Sequence, residues 1–572
     1  MLSGWIDNQR EIEDRLGLEP GDTARCYGAA VERWGPDAEQ RLIGNYAALV
    51  CRSDGNLRLS RSPWCDKPLF FHVNDDSLLA GSALRPFFAA GLPKRLRQDA
   101  VDALLSLELP DEEQSAFEGI ECVPQGSVLE IGRGTRKLTR WYDPLAIPET
   151  RFASDDDYVE AANALLGDAV SAALGHAERP GITLSGGLDS PIVADEMLCQ
   201  LPAQKRLPSF TFTPLDEWDG AVAKHKFGND RPFVEAFAEI HPRLDPHFTD
   251  NRGIAFDDRD MQIFEASHGG YPARVSGSVY HGLFDAAREE GCDWLFTADC
   301  GNLSFSNAAP WAYGEFLRRG QWRQLWQLAA NEAGDERPVW RRIAARAIMP
   351  ELPVAAQRLI RRMVHKGKAG APFANPLLDA DGRLGTYRDE HNIRANIMTV
   401  DRSTAREDYI RRNYQSFGLG AEIGSGYEQV FGIQLRDVTN YRPLVEFCLG
   451  LPTGQFVRNG EGRWLARRMA QGRMPEAQRT NRLYGEHNVD WHARLTPRIA
   501  DMRKEIAMIA ADPELGSLID CDHANRLLDE WPESTPQNPA LAWQLLFYLP
   551  ATIYVARYVA HMTGSNRAPT GE

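Results

Sequence analysis

The sequence lacks the features typical of secreted, membrane-spanning and nucleic-acid-binding proteins. Its net charge of −16 argues against broad nucleic-acid binding, which needs a basic surface. The nine cysteines are an odd number without a Cys-x-x-Cys pair, which favours reduced thiols over a disulfide framework or zinc site. No basic-then-apolar signal sequence opens the chain, and the longest late apolar run, residues 545–556, is too short to span a bilayer. We therefore expect a cytoplasmic protein in which that run is a buried C-terminal helix.

The length of 572 residues excludes one compact core and predicts at least two domains. Residues 1–150 alternate short apolar segments with turns and a few helix-like stretches, which predicts a layered α+β domain. Residues 151–157 resemble a linker that ends in a helix N-cap. From there to residue 572, helices flank apolar strands at 181–184, 208–213 and 294–297. This alternation predicts a parallel sheet whose ligand site lies beyond the carboxyl ends of its strands.

Residues 181–190, Gly-Ile-Thr-Leu-Ser-Gly-Gly-Leu-Asp-Ser, are the most informative stretch. A strand that feeds a glycine-rich turn at a helix start forms an anion site, because the first backbone N–H groups have no intrahelical partner. Pro191 suits the first helical position. The loop lacks the Gly-Lys-Ser/Thr ending of a P-loop, and Asp189 would repel phosphate unless a metal lay between them. The pattern predicts a pyrophosphate cradle with Mg²⁺ held by Asp189; the alternative is a purely structural Gly-Gly turn.

Further motifs resemble asparagine synthetases along nearly the whole chain. Residues 4–10 (GWIDNQR) and 61–71 (RSPWCDKPLFF) resemble the glutaminase-type domain, and SGGLDS, residues 296–302 (FTADCGN) and 444–452 resemble the synthetase domain. The resemblance implies a degenerate Ntn-type glutaminase-like αββα sandwich over residues 1–150. It implies an ATP-pyrophosphatase domain (adenine nucleotide alpha hydrolase-like), with a parallel sheet and many helices, over residues 151–572.

The N-terminal motif departs from that family in its nucleophile. Glutamine-using members need a cysteine at the mature N-terminus, where the α-amine activates the thiolate. Here Leu2 stands in that place and Cys26 is the first cysteine, although a misassigned start codon would also explain this. We expect no glutamine hydrolysis, so that the nitrogen nucleophile arrives with the substrate.

A second departure follows the strand at 294–297. Asparagine synthetases carry S-G-x-G-x-D-E there, with an Asp that helps to hold magnesium, whereas this chain has Asn302. Asn302, Arg482, the Asp490-Trp491 pair and a helical insertion near 315–365 resemble lasso-peptide macrolactam synthetases. That resemblance implies an ATP- and Mg²⁺-dependent cyclase. It would adenylate an Asp or Glu side chain of a core peptide and close an isopeptide bond with the peptide's N-terminal amine, releasing AMP and pyrophosphate.

The resemblance also implies roles for particular residues. Asp299, Arg463 and Arg482 would be catalytic, and Asp189 and Asn302 would hold the metal. The nucleotide would contact Leu184, Ser185, Gly186, Gly187, Asp189, Ser190, Thr211 and Gly301. Purely structural roles remain open as alternatives: Asn302 as a helix cap, Asp299 as a solvated loop acid, and Arg463 and Arg482 as surface charges.

The expected partners are a precursor peptide, a leader protease and a leader-recognition protein, with no nucleic acid. Residues 340–349 and 356–366 place arginines beside apolar residues at helical spacing, which indicates peripheral contact with a membrane, a partner or an acidic peptide. A solvated helix face is the alternative. Three other functions stay open: an ammonia-using asparagine synthetase, a β-lactam synthetase, and a non-catalytic peptide-binding scaffold.

Overall fold

The computed structural model describes residues 1–52, 55–74, 77–107, 111–132, 134–255, 257–270, 279–332, 335–364, 375–378 and 405–564. Side chains at 354, 358, 361, 362, 364 and 419 lie outside this description. Arg361 and Arg362, which belong to the basic segment 356–366 of the sequence analysis, are therefore outside the described side chains.

The N-terminal part contains two antiparallel sheets. The larger has the order β1-β2-β3-β7-β8 and the smaller β5-β4-β6. The strands are β1 Leu2–Ile6, β2 Gly44–Cys51, β3 Leu57–Arg61, β4 Phe70–Val73, β5 Leu78–Gly81, β6 Glu121–Cys122, β7 Ser127–Gly132 and β8 Thr135–Arg140. Apolar side chains of both sheets, among them Leu59 and Phe71, pack together between them.

Helices cover the outer faces of these two sheets. The helices of this part are Gln9–Leu16, Thr23–Trp34, Ala38–Arg41, Arg85–Ala89 and Gln98–Ser106. Tyr27 and Ala30 of the second helix pack with Tyr46 of β2 on one side, and Val101 and Leu105 pack with Phe70 of β4 on the other. This order of layers is the αββα sandwich that the family resemblance implies.

The C-terminal part is built on a five-stranded parallel sheet. Its order is β12-β10-β9-β13-β14, from β9 Pro180–Thr183, β10 Leu207–Phe212, β12 Leu244–Thr249, β13 Trp294–Thr297 and β14 Gln434–Asp437. Two short strands, β11 Lys226–Phe227 and β15 Tyr484–Gly485, form a separate parallel pair. The three strands predicted from the sequence agree with β9, β10 and β13 to within a residue at each end.

Many helices surround this sheet. Their bounds are Asp155–Leu174, Asp189–Gln200, Arg231–Ile240, Asp260–Ser267, Val279–Glu289, Ala312–Arg318, Trp322–Asn331, Val339–Ile343, Met349–Glu351, Val354–Val364, Arg406–Phe417, Ala421–Phe431, Arg442–Gly450, Trp464–Met469, Glu476–Arg479, Trp491–Leu495, Ile499–Ala511, Leu515–Leu518, Cys521–Asp529, Pro539–Trp543 and Leu549–Gly564. The predicted linker ends as expected, because Ser154 accepts from the backbone N–H of Asp157 in a capping box.

The last helix corrects one expectation. A π-helical turn, Gln544–Tyr548, joins the last two helices, so Pro539–Thr563 forms one continuous 25-residue helix. It is long and apolar enough to cross a membrane, because helical geometry continues beyond the apolar run at both ends. More than half of it is buried, and Leu549, Tyr554 and Tyr558 pack in one cluster with Phe70 and Leu105 of the N-terminal part. The predicted burial is therefore confirmed, the helix is a core element, and it gives no positive sign of a membrane protein.

Candidate active site

The glycine-rich loop lies where the sequence predicts it, between β9 and the helix Asp189–Gln200. The sequence predicts Pro191 at the first helical position, which is wrong. The helix begins at Asp189, so Pro191 is its third residue. A proline is tolerated there because the N–H groups of the first turn have no intrahelical partner. The backbone N–H of Ser185 donates to Ser190 Oγ at 3.0 Å, which closes the loop onto the helix start.

A carboxylate that the sequence analysis missed holds the middle of this loop. The backbone N–H of Gly186 donates to Asp230 Oδ1 at 2.6 Å. Burial raises the pKa of the Asp230 carboxyl, whereas the Gly186 N–H and His487 lower it. A Cβ at Gly186 would lie 2.6 Å from the ring of Phe233, so only glycine fits this approach. Asp230 precedes a helix that begins Arg-Pro, which signals a helix start but not a contact with a loop 44 residues earlier.

Asp189 points into the same region with one oxygen unpaired. Its Oδ1 is buried and has no hydrogen-bond partner. Burial raises the pKa of the Asp189 carboxyl, nearby Arg463 lowers it, and Asp299 raises it further. Gly301 packs against this side chain so closely that a Cβ there would lie 2.8 Å from Asp189 Cγ. An orphaned buried carboxylate oxygen fits a cation ligand, because a cation would supply both the missing partner and the missing charge.

Asp299 follows β13 and faces the cavity at the strand end. Desolvation by the surrounding protein raises the pKa of its carboxyl, and His487 lowers it. A second carboxylate, Asp437 at the end of β14, accepts from the backbone N–H of Cys300 at 2.5 Å and from Thr439 Oγ1 at 2.6 Å. Burial and then repulsion from Asp299 raise the pKa of Asp437 to about 7. The sequence analysis missed Asp437.

Arg463 and Asn302 meet across the mouth of the site. Arg463 Nη2 donates to Asn302 Oδ1 at 2.8 Å, and the guanidinium lies 5.2 Å from the centroid of the Tyr484 ring. Asn302 ends a short 3₁₀ turn, Asp299–Asn302, and does not cap a following helix. Arg463 has a φ of 55°, in the left-handed region that favours glycine. Such strain in a non-glycine residue is concentrated at functional sites.

These residues line one cavity of about 270 Å³ at the carboxyl ends of the parallel strands. Of the predicted residues, the cavity brings together Leu184, Ser185, Gly186, Gly187, Asp189, Ser190, Asp299, Asn302, Arg463 and Arg482. Thr211 and Gly301 do not line it. The hydroxyl of Thr211 donates to Leu184 O at 2.8 Å, so it supports the loop from behind, and Gly301 packs against Asp189.

Several lining residues had no place in the sequence analysis. Arg467, Gln478, Tyr484 and His487 line the cavity, and Gln478 Nε2 donates to Gly187 O at 3.1 Å. The pairing of β11 with β15 brings the Arg482–His487 segment over the loop. Each of these strands has two residues, too short for any periodic signal. His487 is the last residue of the segment 481–487 (NRLYGEH) that contains Arg482, and this segment was the only sequence signal for it.

The described residues fit magnesium only as part of a ternary site. Asp189 and Asn302 would hold the ion, although Arg463 already occupies the Asn302 oxygen. In the described part of the chain, no group of three His, Cys, Asp or Glu side chains could hold a metal alone. Mg²⁺ commonly uses one or two carboxylates and completes its shell with water and substrate phosphates. This donor set is therefore compatible with Mg²⁺ that arrives with a nucleotide.

Two family models match separate parts of the chain. Residues 21–142 match the glutamine amidotransferase domain model, and residues 429–557 match the asparagine synthase model. No curated protein matches the chain.

Two solved structures share low identity with it. Glutamine phosphoribosylpyrophosphate amidotransferase from B. subtilis, complexed with ADP and GMP, is 12% identical over 43% of this chain and 60% of its own length, with a TM-score of 0.19. The U34-tRNA thiolase NcsA from Methanococcus maripaludis, with its [4Fe-4S] cluster, is 14% identical over 49% of this chain and 82% of its own, also at 0.19. The chain thus spans about 60% of the first structure, and at these TM-scores neither bears on its fold or reaction.

The two family matches cover different parts of one chain and follow the order expected from its motifs. In this chain a match to the glutamine amidotransferase domain model therefore precedes a match to the asparagine synthase model.

Proposed function

We propose that this protein is an ATP-dependent lasso peptide cyclase. It would adenylate an Asp or Glu side chain of a core peptide, and the peptide's own N-terminal amine would then displace AMP. The observation that carries the proposal is the cavity in which the SGGLDS loop faces Arg463, Arg482 and Asp299, with Asn302 in place of an acidic ligand. An inert carboxylate needs a leaving group before it can form an amide, and such a loop supplies AMP.

The residues of the cavity divide the work of this reaction. The loop amides and Ser190 would bind the leaving pyrophosphate, and Arg463 and Arg482 would stabilise the charge that develops on it. Magnesium, held by Asp189 with Asn302, would neutralise phosphate charge when bound. A peptide α-amine has a pKa of about 8, so a sizeable neutral fraction already exists and only weak base assistance is needed. Asp299, facing the cavity, would accept that proton.

The cysteines support a nucleophile that is carried by the substrate. Cys26 lies buried on the helix Thr23–Trp34, and burial raises the pKa of its thiol to about 11. A peptide amine delivered with the acid it attacks removes the need for a glutamine-derived ammonia source.

The proposed partners are the precursor peptide, a leader protease and a leader-recognition protein. The peripheral membrane contact through residues 340–366 also stays a proposal. Trp340 is 60% exposed there, and Arg346 pairs with Glu332 at 2.8 Å.

ATP–pyrophosphate exchange with a candidate precursor peptide tests the proposal. We expect peptide-dependent exchange, AMP release and a product lighter by one water. A peptide with an acetylated N-terminus should support exchange but not cyclise. Asp189→Asn should lower exchange at least ~100-fold, because the metal ligand loses its charge. Asp216→Asn, at a side chain that is 95% exposed, is the matched control and should behave as the wild type.

The other functions give different outcomes in the same assay. Free Asp with ammonium, and no response to peptide, would identify an asparagine synthetase. A response only to small amino-acid derivatives would identify a β-lactam-type synthetase. Peptide binding without any exchange would identify a scaffold. Release of ADP and inorganic phosphate would exclude adenylation altogether.

A further inference from the structure

The edge strand β14 carries a buried arginine next to an active-site carboxylate. Arg436 is 3% exposed, and the following residue, Asp437, holds the backbone N–H of Cys300. β14 pairs with β13 on one side only, so its position depends on what covers its other edge. A buried guanidinium also needs a partner, since an unpaired charge in the interior is costly.

That partner comes from the first turn of the N-terminal domain. Asp7, directly after β1, accepts from Arg436 Nη2 at 2.7 Å, and the two side chains are 5% and 2% exposed. The ring of Trp5 lies 4.9 Å from the same guanidinium and contacts Trp294 of β13 edge to face at 5.5 Å. The end of β1 and the residue that follows it therefore contact both β13 and β14.

A second buried ion pair fixes the start of the same strand. Lys67 Nζ donates to Glu428 Oε1 at 2.9 Å, with side chains 8% and 13% exposed. The same Glu428 oxygen accepts from the backbone N–H of Leu435 in β14 at 3.1 Å. Beyond the strand, Asn440 Nδ2 donates to Trp64 O of the N-terminal domain at 2.8 Å.

We infer that the Asp7–Arg436 and Lys67–Glu428 pairs form a brace through which the N-terminal domain positions the active site. The brace holds β14, β14 carries Asp437, and Asp437 holds the turn that presents Asp299 and Asn302. The domain is then retained for geometry and not for glutamine hydrolysis. The catalytic part of this inference rests on the proposed function; the structural part does not.

Two measurements on the full chain test the brace. Asp7→Asn keeps the side-chain shape and removes the charge opposite Arg436. We expect at least a tenfold lower kcat for AMP formation, with KM for ATP within twofold of the wild type. Hydrogen–deuterium exchange should rise in the peptide covering residues 294–303, because the Cys300 N–H loses its fixed acceptor. Lys67→Met should change both readouts in the same direction.

Glu121→Gln is the matched control. Glu121 forms a more exposed ion pair with Arg136 in the same domain, at 2.6 Å, and should change neither readout. If the wild type does not form AMP, the proposed function is refuted. Deuterium uptake at residues 294–303 then still tests the brace, because it does not depend on the reaction. If the Asp7→Asn variant does not fold, the same two measurements on Lys67→Met test the brace. Unchanged uptake at residues 294–303 in the folded variants would overturn the inference.

Discussion

At the scale of single residues, Arg463 shows a conflict between backbone preference and side-chain position. Its φ of 55° is a conformation in which glycine has no Cβ penalty, yet its guanidinium reaches Asn302 and Tyr484 at the cavity mouth. Arg463 is one of nine described non-glycine residues with a positive φ, and because it lines the cavity we expect its side chain to be needed there.

Arg463→Gly should separate stability from activity. Relief of the left-handed strain offsets the lost contacts and the added freedom of the unfolded chain, so the free energy of unfolding should change by less than ~1 kcal/mol. AMP formation should fall about 100-fold, because a preorganised cation is lost. Urea unfolding and AMP release measure the two effects. Equal activity in variant and wild type would show that Arg463 is only a surface charge.

At the scale of elements, the sequence predicts three strands of the five-stranded sheet and the loop, but neither β12 nor β14. The strands β9, β10 and β13 are apolar runs bounded by turns, and SGGLDS has its own local signal. The contacts of Asp230, Asp437 and His487 could not be predicted in the same way. Each depends on elements that are distant in the chain, such as the pairing of β11 with β15. Thr211 lies on β10 as predicted, but its hydroxyl donates to Leu184 O and does not face the cavity. No local sequence pattern distinguishes these two orientations.

The turn after β13 has a close approach that a single methyl group tests. A Cβ at Gly301 would lie 2.8 Å from Asp189 Cγ, so Gly301→Ala should displace the carboxylate and lower ATP–pyrophosphate exchange at least tenfold. Gly424→Ala is the control, since a Cβ at this helical position meets nothing within 4 Å. Wild-type exchange in Gly301→Ala would argue against Asp189 as the metal ligand.

The helix Ala421–Phe431 carries a carboxyl group whose titration should be measurable. Burial raises the pKa of Glu422 to about 7, although Arg61 lowers it. Because the folded protein binds this proton more tightly, the free energy of unfolding should fall as pH rises from about 4.5 to 7, by at most ~1.4 kcal/mol per pH unit. Glu422→Gln should reduce that slope in urea unfolding between pH 5 and 7.5. An unchanged slope would contradict the assignment.

At the scale of the whole molecule, the two domains share one apolar cluster. Leu105 of the N-terminal part packs in it with Leu549 and Tyr554 of the last helix, all nearly fully buried. We expect both domains to unfold in one cooperative transition. Leu105→Ala should destabilise that transition by about 2–5 kcal/mol, the usual cost of a buried cavity.

Denaturant unfolding followed by probes in each domain checks this. Leu359→Ala, at a side chain that is 59% exposed, should stay within about 0.5 kcal/mol of the wild type. Two separate transitions, with only the first shifted by Leu105→Ala, would show that the domains are energetically independent.

The bond between Gly186 and Asp230 has a kinetic consequence for the proposed reaction. The loop folds around an internal anion before any nucleotide arrives, so substrate entry is an exchange of one oxyanion for another. The returning carboxylate would compete with pyrophosphate for the same amide and would hasten pyrophosphate dissociation, while the equilibrium constant of adenylation stays unchanged.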